Sequence, residues 1–288
     1  MSHLEKLKNS FDNMHHNLYG RKNINNTLSL MYHEESKLHK HNELKLGEKI
    51  DAFFDPYIIK RATQPFKKYP GNQRVFLTNP SKANLPDTSL LEVLKRRRSK
   101  RNFDASYSLT NEELSTLFKF SYGVVDKASL VKFDETIGLR PVPSPGGLYS
   151  LEIYLVLFRG ESKSGLYHFR PDEFSLELIK EGDFLEDLKK STFAQAPEDY
   201  ISNSCGMILI TGVYERLAIK YGDRAYRFML HESGFVSQNI SLILDAQNLG
   251  SCMVGGYFDD EINSFIGIDG VFETVHNIIL FGKEGQKV

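Results

Sequence analysis

The sequence predicts an α+β protein, and three observations carry that prediction. Two capping-box patterns open helices before any strong strand signal appears. The apolar, β-prone runs that follow are separated by a hairpin and by one long helix, so helices and strands do not alternate regularly. No Gly-x-Gly-x-x-Gly follows a first strand, which argues against a dinucleotide-binding βαβ reading. The 288 residues are 41% hydrophobic and 25% charged, so the chain can bury a real core without disulfides or metals.

Composition divides the chain near residue 85. Residues 1–85 are polar, with Asn, Lys and His crowded together, and read as an N-terminal extension suited to partner docking. Residues 86–288 read as the main domain. Six of the nine histidines fall early, at His3, His15, His16, His33, His39 and His41, but none has metal-site spacing, and no metal is expected. Pro70-Gly71-Asn72 marks a turn, and Asn79-Pro80 with Pro86-Asp87 marks a linker.

Ser89-Leu90-Leu91-Glu92 opens a helix through about Arg98, and Thr110-Asn111-Glu112-Glu113 opens a second one ending near Gly123. Residues 126–140 lack clear periodicity and are expected to form a loop. Leu151–Phe158 and Cys205–Val213 are almost continuously apolar and read as buried strands. Leu166–Phe169 and Phe174–Ile179 flank Arg170-Pro171-Asp172 as a hairpin. A long helix runs from about Arg224 to Asn248, with Phe228, Met229, Phe235, Val236, Ile240, Ile243 and Leu244 on its apolar face. Asp259–Phe265 fits a short helix and His276–Phe281 a last strand.

The balance of 36 basic and 37 acidic residues leaves a net charge of −1, which argues against a protein dedicated to coating nucleic acid. Two cysteines, Cys205 and Cys252, exclude a disulfide framework or a Cys-rich zinc module. No apolar run reaches the roughly 18 residues of a membrane span, and the N-terminus lacks a signal-like apolar stretch. A soluble cytoplasmic protein is expected.

Four features carry chemistry. Lys95-Arg96-Arg97-Arg98-Ser99-Lys100-Arg101 supplies guanidinium forks and a hydroxyl suited to phosphate; the same run also serves as a solvated face complementing a helix C-terminus. Pro143-Ser144-Pro145-Gly146-Gly147-Leu148-Tyr149 precedes a buried strand, and its glycines either admit a ligand to the backbone or form a rigid connector. Val254-Gly255-Gly256-Tyr257 offers a wall free of side chains, or a turn. Lys220-Tyr221 pairs an amine and a phenol, either of which can move a proton.

In this order the features resemble the nitroreductase-like flavoproteins. The narrower resemblance is to SagB-type dehydrogenases of thiazole/oxazole-modified peptide pathways. Arg97-Arg98-Ser99-Lys100-Arg101-Asn102-Phe103 is similar to their Arg-Arg-Ser-x-Arg-x-Phe opening. Pro143 through Glu152 resembles their Pro-Ser-x-Gly-Gly/Ala-Leu-Tyr loop with its following Glu. Gly165-Leu166-Tyr167-His168, Lys220-Tyr221 and the run from Tyr226-Arg227 through Glu232 and Gly234 to Gln238-Asn239 complete the set. Tyr32-His33-Glu34-Glu35-Ser36-Lys37 resembles an upstream element of relatives. Pro145 and Ser150 depart from the usual pattern.

The resemblance implies a mixed, mainly antiparallel sheet flanked by helices, and FMN bound in a homodimer. It implies that Arg97, Arg98, Ser99 and Arg101 hold the phosphate and ribityl chain, with Lys283 adding charge. Ser144 and Gly146 would approach the flavin, Gln238 and Asn239 would reach it from the long helix, and Gly255 and Gly256 would lie against the ring. Lys220 or Tyr221 would be the base. The implied reaction is oxidation of a thiazoline or oxazoline in a precursor peptide to the aromatic azole. The implied partners are a cyclodehydratase and a leader-peptide-binding protein. Two other readings stay open: an NAD(P)H-dependent nitro- or quinone reductase, and a flavin-less scaffold of a peptide-modifying complex.

Overall fold

The computed structural model describes residues 28–40, 43–81, 87–192 and 200–285. His3, His15, His16, His41 and Pro86 of the sequence reading lie outside them. The described elements are α1 (Leu28–Glu35), α2 (Glu43–Phe53), α3 (Pro56–Ala62), β1 (Arg74–Phe76), α4 (Leu90–Arg96), α5 (Asn111–Ser121), β2 (Asp126–Leu130), β3 (Glu135–Leu139), β4 (Leu151–Leu157), β5 (Gly165–Arg170), β6 (Ser175–Glu181), α6 (Leu185–Lys190), α7 (Tyr200–Asn203), β7 (Gly206–Val213), α8 (Tyr214–Tyr221), α9 (Arg224–Ala246), β8 (Leu249–Val254), α10 (Asp259–Ile266) and β9 (Glu273–Lys283).

The main sheet runs β1-β6-β5-β4-β7-β9-β8. Its strand pairs are antiparallel, and parallel contact is confined to single bridges such as Ser99 to Ser251. Every residue of β4 is buried, as its unbroken apolar run predicts for a central strand covered on both faces. One face packs against α5, α8 and α9 through Leu114, Leu117, Ile208, Ile210, Leu217, Met229, Val236 and Ile240. The other packs against α6 and α10 through Leu188, Leu209, Ile262, Ile266 and Ile278. Residues before 85 join this fold: β1 pairs with β6, and α2 packs against α8.

Both predicted capping boxes are present. Glu92 N–H donates to Ser89 Oγ at 3.3 Å, and Glu113 N–H to Thr110 Oγ1 at 3.1 Å. Helix α4 stops at Arg96, earlier than expected, because the chain turns extended at Arg97 and lies along the sheet edge. There Lys100 N–H donates to the Ser251 carbonyl at 2.8 Å. Residues 126–140 are a correction: they form the antiparallel hairpin β2–β3 rather than a loop. The hairpin stands apart from the main sheet and buries neither face fully, so it carries no clean hydrophobic alternation. Helix α9 differs from its predicted face as well. Phe235 is 45% exposed, while Ser233, Ser237 and Ser241 are buried. Ser237 and Ser241 donate to the carbonyls one turn back, and these small residues let Asn277 of β9 reach Ser233 Oγ at 2.6 Å.

Candidate active site and its buried supports

The Pro143–Tyr149 loop is bent by backbone in the left-handed region. Gly146 has φ +65°, Gly147 +66° and Tyr149 +44°. Glycine adopts such angles freely, whereas Tyr149 is strained there. Tyr149 is held by its burial, by its N–H donating to Ser144 Oγ at 2.8 Å, and by its hydroxyl accepting from Arg140 N–H at 3.0 Å.

Gly146 meets the amine–phenol pair. A methyl group at Gly146 would lie 2.7 Å from the Tyr221 hydroxyl oxygen and 3.1 Å from Lys220 Nζ. The glycine is therefore required by close approach as well as by its backbone angle. Lys220 and Tyr221 end α8 and are both half-buried. Burial pushes the Lys220 amine below its ordinary value and the Tyr221 phenol above its own.

Beneath the loop, Glu232 of α9 is fully buried. It accepts from Tyr122 Oη at 2.8 Å, Ser144 Oγ at 2.9 Å, Ser150 Oγ at 3.0 Å and Ser150 N–H at 3.3 Å. The glutamate thus anchors both ends of the glycine turn. Its place in the long-helix motif was visible in sequence, but its role was not, because all its donors lie on other elements.

A second buried network ties the segment after α3 to the sheet. His168 lies between Glu152 at 2.7 Å from Nε2 and Glu177 at 3.2 Å from Nδ1. Burial opposes the charged imidazole, yet the two carboxylates raise its pKa above the ordinary value. Burial likewise opposes the Glu152 charge, but Arg216, which donates to it, and His168 outweigh that effect and hold its carboxyl down to about 2. Lys67 bonds Glu273 at 2.7 Å and donates to Tyr154 Oη at 3.0 Å, while Lys67 N–H donates to Glu152 at 2.7 Å. The upstream motif also finds a partner. Tyr32 Oη accepts from Arg227 N–H at 2.8 Å, and Arg227 Nη2 donates to Ser36 Oγ at 2.5 Å.

The arginine segment runs along the edge strand β8, next to β9, which ends in Lys283. Ser99 bridges Ser251, and Arg101 acts on the Cys252 thiol, which burial raises and the guanidinium lowers. Arg97 is half-buried; Arg98 and Arg101 are exposed. Arg98 donates only to the Lys95 and Arg97 carbonyls, and among the described residues no carboxylate pairs with Arg97, Arg98 or Arg101. Such uncommitted guanidinium groups in one short segment fit the donor chemistry a phosphate needs. The Lys283 carbonyl accepts from Asp104 N–H, and Lys283 Nζ lies 5.9 Å from the Tyr107 ring centre. Gly255 has open space around it, and Gly256 is half-buried. Gln238 is exposed, and Asn239 donates to the Pro141 carbonyl at 3.4 Å, tying α9 to the loop.

Comparison with known proteins follows the same outline. The sequence profile of the Nitroreductase family matches residues 94–283. The chain belongs to the nitroreductase family. It is 32% identical over 186 residues to MJ1384 of Methanocaldococcus jannaschii, a protein named for the nitroreductases, covering 64% of this chain and 87% of that one. It is 24% identical over 213 residues to the microcin B17-processing protein McbC of Escherichia coli, covering 68% of this chain and 78% of McbC. Among solved structures, a nitroreductase-type protein of Anabaena variabilis superposes with a TM-score of 0.62 at 24% identity. That match covers 76% of this chain but only 43% of the longer Anabaena chain. A chain of the E. coli microcin synthetase McbBCD complex with truncated pro-MccB17 bound superposes with a TM-score of 0.57 at 22% identity, covering 77% of this chain and 78% of that one. These likenesses carry the nitroreductase fold, that of an oxidoreductase family. No helix among the described residues is long and apolar enough to cross a membrane.

Proposed function

We propose that this protein is an FMN-dependent dehydrogenase that oxidises thiazolines or oxazolines in a ribosomally made peptide to thiazoles or oxazoles. The observation that carries the reading is the meeting of Gly146 with Lys220 and Tyr221, which gathers the loop and the amine–phenol pair of the SagB-type pattern at one place. Similarity to McbC, a microcin-processing protein, supports the peptide context.

In this reading Arg97, Arg98, Ser99 and Arg101 hold the FMN phosphate and ribityl chain, with Lys283 adding charge. Ser144, Gly146, Gln238, Asn239, Gly255 and Gly256 border the flavin ring. When bound, FMN supplies the acceptor for the hydride that leaves the azoline. Lys220, with its lowered pKa, takes the proton from the carbon next to the ring nitrogen. Tyr221 keeps its proton and donates a hydrogen bond to the ring as negative charge grows. One proton and one hydride leave, so the peptide loses two hydrogens.

Self-association is part of the proposal. Leu90, Leu91 and Leu94 of α4 and Leu230 and Phe235 of α9 are exposed large apolar residues that a homodimer would cover. A cyclodehydratase and a leader-peptide-binding protein are the proposed partners, with residues 1–85 as the docking region. Because β1 and α2 of this region pack into the fold, docking is tested by removing residues 1–27 alone.

The deciding experiment incubates the FMN-loaded protein with an azoline-bearing peptide and scores the loss of two hydrogens by mass. Lys220→Ala and Tyr221→Phe are expected to stay yellow while azole formation falls by about 10²–10⁴-fold for the base. Arg97→Ala is expected to weaken FMN binding by about tenfold or more. Parental azoline oxidation in both Lys220 and Tyr221 variants refutes the assignment. Likeness to MJ1384 favours a second reading, a small-acceptor reductase. Turnover of nitro compounds or quinones with NAD(P)H, without azoline oxidation, would select it.

A further inference from the structure

We propose that Phe53 and Phe54, which precede the stretch shared with the nitroreductase family, are positioning residues for Lys220, walling its amine off from water and seating it against the Gly146 turn. The proposal rests on the reading of Lys220 as the proton acceptor. It adds a contribution from the N-terminal segment to that site.

A lysine at the end of a helix ordinarily extends its ammonium into water. Lys220 does otherwise. Its Nζ lies 4.6 Å from the Phe53 ring centre and 5.4 Å from that of Phe54, with the Tyr221 ring at 5.5 Å. Phe53 closes α2, the helix that packs against α8, and Phe54 follows it in the turn. Phe53 is 4% exposed and belongs to the core. Phe54 is stacked on Phe133, between β2 and β3, with ring centres 6.2 Å apart and planes 8° from parallel. The amine is therefore flanked by two rings from the N-terminal segment and one from its own helix, and a methyl group at Gly146 would lie 3.1 Å from it.

Two effects of the rings oppose one another. Their π faces attract an ammonium, whereas exclusion of water disfavours it. Burial pushes the Lys220 amine below the ordinary lysine value. No carboxylate among the described residues pairs with the amine to restore the charge. Titratable and charged groups on the surrounding elements include Tyr221, Glu215 and Arg216 on α8, Glu48, Lys49 and Asp51 on α2, Lys132, Asp134 and Glu135 in the hairpin, and Glu232 on α9. Burial raises the phenol, Glu135 accepts from Thr63 Oγ1, and Glu232 is committed to Ser144, Ser150 and Tyr122.

The test measures the amine directly. The full-length, FMN-loaded protein is acylated with a small anhydride across neutral to alkaline pH, and modification of Lys220 is quantified by peptide mass. In the parent, Lys220 is expected to become reactive at lower pH than exposed lysines of the same chain. Phe54→Ala and Phe53→Leu are expected to move its midpoint upward, cutting the uncharged fraction at neutral pH by about threefold or more. Phe54→Tyr, which keeps a ring, should restore the parental midpoint. Phe54 is half-exposed, so its alanine variant carries the test even if Phe53→Leu folds poorly. An unmoved midpoint in folded Phe54→Ala overturns the proposal, including when azoline oxidation is lost. A moved midpoint with an unmoved pH profile of azoline oxidation leaves the enclosure standing and removes Lys220 as the base.

Discussion

Replacing Glu232 with alanine probes how the glycine turn is held in place. The carboxylate is fully buried and accepts from the hydroxyls of Tyr122, Ser144 and Ser150 and from Ser150 N–H. Truncation strands these donors, and each stranded buried donor costs about 1–3 kcal/mol. Hydroxyls can rotate and water can enter the vacated space, so the full sum is not reached. A loss of about 3–5 kcal/mol is expected, as for other broken buried charge networks. In a chain of this size that lowers the melting temperature by about 10 °C. Glu232→Gln retains the shape and one acceptor oxygen but turns an amide toward the donors, and should cost about 1–2 kcal/mol. Thermal unfolding and urea midpoints at constant m-value measure both variants. A Glu232→Ala protein within about 1 kcal/mol of the parent would refute the claim that these hydrogen bonds hold the loop.

Gly146→Ala forces a side chain into the left-handed region and sets a methyl group 2.7 Å from the Tyr221 hydroxyl oxygen. It should cost about 1–2 kcal/mol and abolish azoline oxidation, and a crystal structure of a parent-like turn with full activity would contradict this. The His168 network gives stability a pH plateau. The raised imidazole pKa contributes fully below the ordinary value of 6.5, and its contribution is lost as pH rises through the raised value. The lowered Glu152 pKa contributes above 4.5, and its contribution is lost as pH falls toward about 2. Urea midpoints should therefore peak between these limits, and His168→Gln should flatten the alkaline decline; an unchanged decline in that variant would place its source elsewhere.

Local chemistry determined much of the outline. Ser89 and Thr110 cap helices because each side chain meets the amide three residues on, a contact set by spacing alone. Strands β4 and β7 were legible because both faces of each are covered, leaving unbroken apolar runs. Where burial is partial, the pattern weakens. The β2–β3 hairpin passes for a loop, β1 is only three residues long, and β8 is interrupted by Gly250. The candidate site divides in the same way. Its residue types and motifs stand in the sequence, including the arginine segment, the glycine loop, Lys220-Tyr221 and Glu232. Their meetings do not. Gly146 reaches Lys220, Ser144 reaches Glu232 across 88 positions, and Arg227 reaches Ser36 across 191. Phe53 and Phe54, ordinary apolar residues by composition, gain a role only because α2 packs against α8. Propensity and capping act over a few residues, whereas the order of strands and the burial of helices decide which distant side chains share a low-dielectric space, and that shared space sets their proton affinities.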